Sequence, residues 1–173
     1  MLNRFERLNS NKQVVYLLGL SEAIIKRLST SPNFNAAKNA LETCWEWAET
    51  KEHSADDIYN LLDDGTEETS LFMLMQDETE EVNELAFGCI VDAVSYTNWI
   101  AFQNEGLGYL PAPIENVDLS LVEQFLDGFY HITEANKILA ERFMTLLEQN
   151  NVNEIIRNRA QIKENRVPGF FHN

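Results

Sequence analysis

The spacing of apolar residues predicts a protein built from helices. From Ser10 to Leu28 apolar side chains recur every three or four residues, and Ser31-Pro32 then ends the run. A second helical run, from Phe34 to Ala48, contains Trp45 and Trp47, which lie about 200° apart around a helix. Because the two rings cannot face one core, we expect this helix to be central and covered on both sides. The alternative is an exposed Trp that anchors a partner.

The longest helical pattern extends from Val82 to Ile100 and keeps one face apolar for about five turns. Acidic residues in its first turn suit the positive end of the helix dipole. We expect this helix to be the spine of the core. Gly106 is typical of a helix end, and Pro111-Ala112-Pro113 predicts a following loop with no regular structure.

Two further helix starts are predicted from capping boxes. Ser54-Ala55-Asp56-Asp57 has the required spacing, with Asp in place of the usual Glu, and opens a short helix. Ser120-Leu121-Val122-Glu123 opens a pattern that continues to Asn150. The pattern leaves open whether this segment is one helix or two helices that break near Gly128 or Thr133.

The remaining segments complete an all-α prediction. A last helix is predicted from Val152 to Lys163, and no segment shows the two-residue alternation of a strand. A chain of 173 residues is long enough for one domain with a substantial core. We therefore predict a single domain over residues 1–173, with six to eight helices in an irregular or bundle-like orthogonal array. Residues 1–9 and 166–173 are expected to be irregular ends.

Acidic residues are concentrated in the middle of the chain. The protein has 28 acidic and 13 basic residues, and residues 52–136 contain nineteen of the acids without one Lys or Arg. A field of one sign attracts an oppositely charged partner and repels nucleic acid and anionic lipid. Such charge is also typical of ordinary solvated helix faces. We favour a basic partner, because selection for solubility alone would not exclude every cation from 85 consecutive residues.

The acids form two groups at the ends of predicted helices, and these groups are the predicted partner-binding surface. Aromatic residues such as Tyr59, Phe72 or Trp47 are candidates for its apolar centre, because binding energy concentrates in buried aromatic side chains. The predicted partner-binding residues are Asp56, Asp57, Tyr59, Asp63, Asp64, Glu67, Glu68, Asp77, Glu78, Glu80, Glu81 and Glu84.

No catalytic, cofactor-binding or metal-binding residue is predicted, and no cofactor is expected. Glu49 with His53, and Asp127 with His131, have the spacing of two ligands on one helix face, but the chain has only three His and we expect ordinary histidines. No phosphate-binding loop, dinucleotide fingerprint or nucleophile elbow is present.

The cysteines and the N-terminus favour a cytosolic protein. Cys44 and Cys89 lie in apolar helical patterns and are expected to be buried and reduced. The sequence offers no signal peptide, and no window approaches the ~20 apolar residues that cross a bilayer.

Three segments carry a resemblance to a known family. The run from Ala40 to Trp47, the triplet Asp57-Ile58-Tyr59 and the acidic spine helix with Phe102 resemble the all-α immunity proteins of bacterial polymorphic toxin systems, specifically the family catalogued sixth among them. The likeness covers about Val14 to Ile132. Ser21-Glu22 and Trp45-Glu46 are also similar to another all-helical bacterial family of unknown function.

The resemblance implies an antidote, a small cytosolic protein that binds one cognate toxin domain and blocks it without catalysis. Many such toxins are nucleases with a basic cleft, so the expected partner is a basic nuclease toxin domain, with no direct nucleic acid and no membrane. The oligomeric state stays open. The alternatives are a carboxylate-rich metal-dependent enzyme and an acidic adaptor for a basic peptide or protein.

Overall fold

The computed structural model describes residues 1–159, and its regular elements in that range are all helical. The all-α prediction is confirmed, and the described residues form one compact domain. Two 3₁₀ segments, Ile25–Thr30 and Met75–Asp77, follow α2 and α5. The α-helices are α1 (Leu2–Glu6), α2 (Ser10–Ile24), α3 (Phe34–Thr50), α4 (Ala55–Leu62), α5 (Leu71–Leu74), α6 (Glu81–Glu105), α7 (Ala112–Glu115), α8 (Leu119–Ile132), α9 (Ala135–Gln149) and α10 (Val152–Arg157).

Helix α6 is the spine of the fold, as its apolar pattern predicts. It contacts α2, α3, α4 and α8, and it is buried almost all round between Asn83 and Phe102. By length and composition α6 is also apolar enough to cross a membrane, which the sequence analysis did not expect. Inside the protein, 83% of that window is buried, which is the environment of a core helix.

Helix α3 is covered on both sides, as expected. Trp45 and Trp47 are each only 2% exposed. Arg159 lies over the Trp45 ring at 4.7 Å, and Lys51 lies over the Trp47 ring at 3.9 Å. The indole of Trp45 also donates a hydrogen bond to Glu22 at 3.1 Å. The ring of Trp47 belongs to the core. The prediction that Trp47 could form the apolar centre of the partner-binding surface is therefore wrong.

The segment after residue 119 forms two helices, which settles the question that the pattern left open. Helix α8 ends at Ile132, and Thr133 is extended. The side-chain amide of Asn136 donates to the Phe129 carbonyl at 2.7 Å. This bond provides a donor for one of the last carbonyls of α8, which have no partner within the helix.

Two local predictions need correction. Asp118, rather than Ser120, caps α8 and accepts from the Ser120 N–H at 2.7 Å, so the helix begins two positions earlier than the predicted box implies. The proline segment is not a plain loop, since Ala112–Glu115 forms one helical turn. Proline is tolerated there because the first N–H groups of a helix need no intrahelical partner.

The chain ends also differ from the expectation. Residues 1–9 are not wholly irregular, because α1 holds Phe5 in the core, with its ring centre 5.8 Å from that of Tyr16 and 5.6 Å from that of Tyr96. Burial of one aromatic side chain explains why this short segment is ordered. The predicted helix to Lys163 is observed as α10, and its last part and residues 166–173 lie outside the described residues.

Candidate partner-binding surface

The first acidic group begins at α4, where the predicted capping box is confirmed. The Ser54 hydroxyl accepts from the Asp57 N–H at 3.0 Å, and the Asp57 carboxylate accepts from the Ser54 N–H at 2.8 Å. The Ser54 hydroxyl also donates to the Asp57 carboxylate at 2.7 Å, and this bond, together with the one from the Ser54 N–H, holds the pKa of Asp57 below its ordinary value. The Asp57 carboxylate is therefore engaged in the helix cap.

The start of α4 is attached to the C-terminal end of α6. The Ala55 N–H donates to the Glu105 carboxylate at 2.6 Å, and the Asn98 amide donates to the Ala55 carbonyl at 2.6 Å. Asp56 is exposed beside this junction, and the Tyr109 hydroxyl lies 3.3 Å from its carboxylate. The first acidic group therefore begins at the C-terminal end of the spine helix.

Several acids of this group organise the loop after α4. Asp63 accepts from the Gly65 N–H at 3.1 Å, and Asp64 accepts from the Thr66 N–H at 3.0 Å and from the Thr69 hydroxyl. Hydrogen bonds from the Thr69 hydroxyl and, to a smaller extent, from the Thr66 hydroxyl lower the pKa of Asp64. These carboxylates stabilise the loop as well as adding to its charge.

The other members of the first group differ in exposure. Tyr59 and Phe72 are half-buried and pack against the core. The Tyr59 hydroxyl lies 3.4 Å from the Asp63 carboxylate. Glu67 and Glu68 are exposed, and neither forms a side-chain hydrogen bond or ion pair within residues 1–159.

The second acidic group lies at the N-terminal end of α6. Glu78 is half-buried and accepts from the Ser31 hydroxyl and, at 3.2 Å, from the Asn33 amide. It therefore joins this segment to the start of α3. The exposed acids of this group, none of which has a side-chain hydrogen bond or ion pair in the part of the chain that the structure describes, are Asp77, Glu80, Glu81 and Glu84.

The two groups lie near opposite ends of one helix. Helix α6 has 25 residues, and at about 1.5 Å per residue it is roughly 37 Å long. Asp56 lies beside its C-terminal end, and Glu81 and Glu84 lie in its first turn. The predicted acids therefore do not form one compact patch, because the first of them lies beside one end of α6, the last lie at its other end, and the rest belong to the segment that connects α4 to α6.

A cleft beside the second group was missed by the sequence analysis. It has a volume of about 310 Å³ and lies between the 3₁₀ segment Met75–Asp77, α6 and α8. Its lining residues are Met75, Gln76, Glu84, Leu85, Gly88, Cys89, Asp92, Gln124 and Gly128. A signal for it was present in the sequence, because Asp92 is the one acid within the apolar spine between Glu84 and Glu105.

Asp92 is a buried carboxylate in this cleft. It is 7% exposed, and the Gln124 amide donates to its two oxygens at 3.1 and 3.3 Å. No Lys, Arg or His pairs with it among residues 1–159. Burial raises the pKa of Asp92 to about 7, and the Gln124 bond offsets part of that rise. Asp92 therefore changes charge near neutral pH.

The cysteines are buried and free, as predicted. The Cys89 thiol faces the Phe125 carbonyl at 3.5 Å, and burial raises its pKa far above the ordinary value. Burial raises the pKa of Cys44 to about 12. Both side chains therefore stay as neutral thiols, which are poor nucleophiles.

The histidine pairs have ordinary contacts. His53 contacts the Glu46 carboxylate at 2.8 Å, and the His131 ring contacts the Asp127 carbonyl at 2.7 Å. Within the described range, no three side chains of His, Cys, Asp or Glu are grouped closely enough to hold a metal ion.

Comparison with known protein families gives a match to this chain. The family model described as immunity protein Imm6 matches residues 12–138, a range that includes both acidic groups and the cleft. Searches of curated proteins and of solved structures give no match.

Proposed function

Because this chain belongs to the Imm6 family of immunity proteins, we propose that it neutralises one cognate toxin domain by binding it, without catalysis of its own. The toxin domain in this proposal is a basic nuclease, and the acidic surface of the immunity protein occludes its active site. The immunity role follows from the family. The distribution of charge supports the nuclease and the acidic contact in this proposal.

The proposal of an electrostatic contact with the toxin rests on the exposed acids at the N-terminal end of α6. Asp77, Glu80, Glu81 and Glu84 are exposed and have no cationic partner among the residues that the structure describes. Unpaired carboxylates of one sign create a field that speeds encounter with a cationic surface. A nuclease needs such a surface, because binding a phosphate backbone depends on Lys and Arg.

We place the proposed contact at this end of α6 and not at the α4 end, where Leu107 and Tyr109 are also exposed. At the α4 end, Asp57 and Asp64 are engaged in a helix cap and a loop. At the α6 end, Val82 is 42% exposed and lies one turn before Leu85, which lines the cleft. Interfaces combine an apolar centre with a polar rim, and Val82 with the surrounding glutamates fits that arrangement.

The test is protection of cells by co-expression. A C-terminal toxin domain encoded beside this gene is expressed with and without the protein, and survival is measured. We expect survival only when the protein is present, and we expect stoichiometric inhibition of nucleic-acid cleavage by the purified toxin. A toxin domain from an unrelated system is the control and should kill in both cases.

The possible results separate the parts of the proposal. Death of the co-expressing cells would overturn the assignment of this toxin as the cognate partner. Survival with a toxin that does not cleave nucleic acid would retain the immunity role and reject the nuclease. Inhibition at far below one equivalent would reject simple occlusion, since a blocking protein acts one to one.

A further inference from the structure

The cleft holds a buried carboxyl group, that of Asp92, which has no cationic partner among the described residues. Burying an ionised carboxylate is unfavourable unless it is paired with a cation or well hydrogen-bonded. Asp92 has one side-chain donor, the Gln124 amide at 3.1 and 3.3 Å, and no cation among residues 1–159. An Asn would make a similar contact with Gln124 without a charge. The site is therefore incomplete in a way that a bound cation would complete.

The charged groups around Asp92 reinforce this conclusion. On α6, the neighbouring titratable groups are Cys89, which is neutral, and Glu84, which lies at the exposed edge of the cleft. Helix α8 contributes the neutral Gln124, and the 3₁₀ segment contributes the neutral Gln76. The lining therefore offers only negative or neutral groups to an occupant.

Gly88 keeps the cleft open although packing does not require a glycine there. A Cβ atom on Gly88 would meet no heavy atom within 4 Å, whereas a Cβ on Gly19 would lie 2.1 Å from the Phe143 ring. A glycine inside a helix costs about 1 kcal/mol relative to alanine. Gly88 lines the cleft, and a larger side chain at this position would occupy part of its volume.

The shape and chemistry of the cleft suit one long cationic side chain. Its walls include the apolar side chains of Met75 and Leu85, and Asp92 lies buried among its lining residues. Lys and Arg have an apolar stem and a charged end, so they combine apolar contact with ion pairing. The volume of about 310 Å³ is at the small end of the range for ligand pockets and is sufficient for a single side chain.

We propose that this cleft binds one Lys or Arg side chain of the toxin domain, with its charged end at Asp92 and its stem along Met75 and Leu85. The identity of the partner rests on the proposed function, whereas the cation site itself rests on the cleft. The exposed acids at the N-terminal end of α6 attract the basic surface, and the cleft then fixes one residue of it.

The direct test is an NMR titration of the full-length protein labelled at its carboxyl and methyl groups. The probes are the N-acetyl, N-methylamide derivatives of arginine and lysine, and the uncharged citrulline derivative is the matched control. We expect saturable shifts at Asp92, Met75 and Leu85 with a cationic probe, and a lower pKa of Asp92 in its presence. The affinities of the arginine and lysine derivatives show which cation the cleft prefers. The citrulline derivative should cause no saturable shift.

Two variants test the site by different means. Asp92→Asn removes the charge and keeps the open space, and Gly88→Leu fills the space and keeps the charge. Both should abolish saturable probe binding, whereas Glu49→Gln, at an exposed position of α3 outside both acidic groups, should retain it. Melting temperatures show whether each variant is folded. If one of the two variants does not fold, the other variant alone is enough to test the site.

The same variants connect the cleft to the toxin. With purified toxin domain, we expect Asp92→Asn and Gly88→Leu each to weaken binding by about 10- to 100-fold, in the range of close charge pairs at interfaces. Unchanged toxin affinity in both variants would overturn this inference while leaving the immunity role intact. Failure of the wild-type protein to protect cells would instead overturn the proposed function, and the probe titration would still report on the cleft.

An internal cation is the competing occupant. Lys163 and Arg166 lie outside the described residues, and a variant with Gln at both positions tests them. If these replacements change the titration of Asp92 in the absence of probe, the chain fills its own site and the inference is wrong. Absence of saturable probe shifts in the wild-type protein, or equal shifts with citrulline, would also overturn it.

Discussion

At the scale of single residues, Asp92 is the position where stability and binding oppose each other. Its folded pKa of about 7 lies above the ordinary value of about 4 for Asp. The folded state therefore holds a proton that the unfolded state has released between these pH values. By linkage, the free energy of unfolding falls as pH rises from about 4 to about 7, and the full loss is present above that range.

We expect Asp92→Asn to stabilise the protein at pH 8. The change in pKa from about 4 to about 7 corresponds to at most about 4 kcal/mol, so a gain of about 2 to 4 kcal/mol is expected, shrinking to about a quarter of that at pH 4.5. Urea unfolding at pH 4.5, 6 and 8 measures it. Glu67→Gln, at an exposed site, is the control and should change stability by less than about 0.5 kcal/mol at each pH. A destabilised Asp92→Asn protein at pH 8 would contradict the assignment of an unpaired buried charge.

At the scale of helices, Gly19 and Gly88 differ in the space that is available for a side chain. Gly19 lies where α2 packs against α9, and the Phe143 ring occupies the space that a side chain would need. Gly88 lies on α6 at the open cleft, where a Cβ would meet nothing within 4 Å. The same substitution should therefore have opposite effects at the two sites.

Gly19→Ala should destabilise the protein by about 1 to 3 kcal/mol, because an added methyl group in a packed core forces the Phe143 ring to move. Gly88→Ala should stabilise it by about 0.5 to 1 kcal/mol, because alanine favours the helix. Paired urea unfolding curves provide the measurement. A destabilising effect of Gly88→Ala would show that the cleft closes in solution.

Helix boundaries were predicted well where they depend on nearby residues and less well elsewhere. The Ser54 capping box was recognised because its partners are three residues apart. The cap of α8 was misassigned because Asp118 and Ser120 both precede an apolar run, and only the backbone conformation of Asp118 decides between them. The break at Thr133 depends on Asn136 reaching the Phe129 carbonyl, a contact that helical periodicity does not encode.

At the scale of the whole molecule, the distribution of charge governs association with a partner. The chain has a net charge of −15, yet a steering effect requires that the acids lie near the contact. In the proposed complex, Glu80, Glu81 and Glu84, at the start of α6, lie near the contact with the toxin domain. Acids elsewhere on the surface should contribute little beyond the Debye length of about 10 Å at 0.1 M salt.

Replacing Glu80, Glu81 and Glu84 together by Lys should slow association with the toxin domain by at least about tenfold at low salt and remove most of the salt dependence. The matched control replaces Glu6, Glu49 and Glu154, which are exposed and lie outside both acidic groups, and changes the net charge equally. Stopped-flow association at several salt concentrations measures both. Equal slowing in the two variants would assign the effect to net charge instead of a local surface.

The sequence by itself determined the helical class, the spine helix, the buried thiols and the segregation of charge, because these depend on composition and on residues three or four positions apart. Tertiary structure decided where the charges lie. The contact of Glu105 with Ala55 spans 50 positions and places one acidic group near the C-terminal end of α6. The contact of Gln124 with Asp92 spans 32 positions, so the burial of Asp92 beside α8, and the cleft that contains it, arise only when the helices pack together.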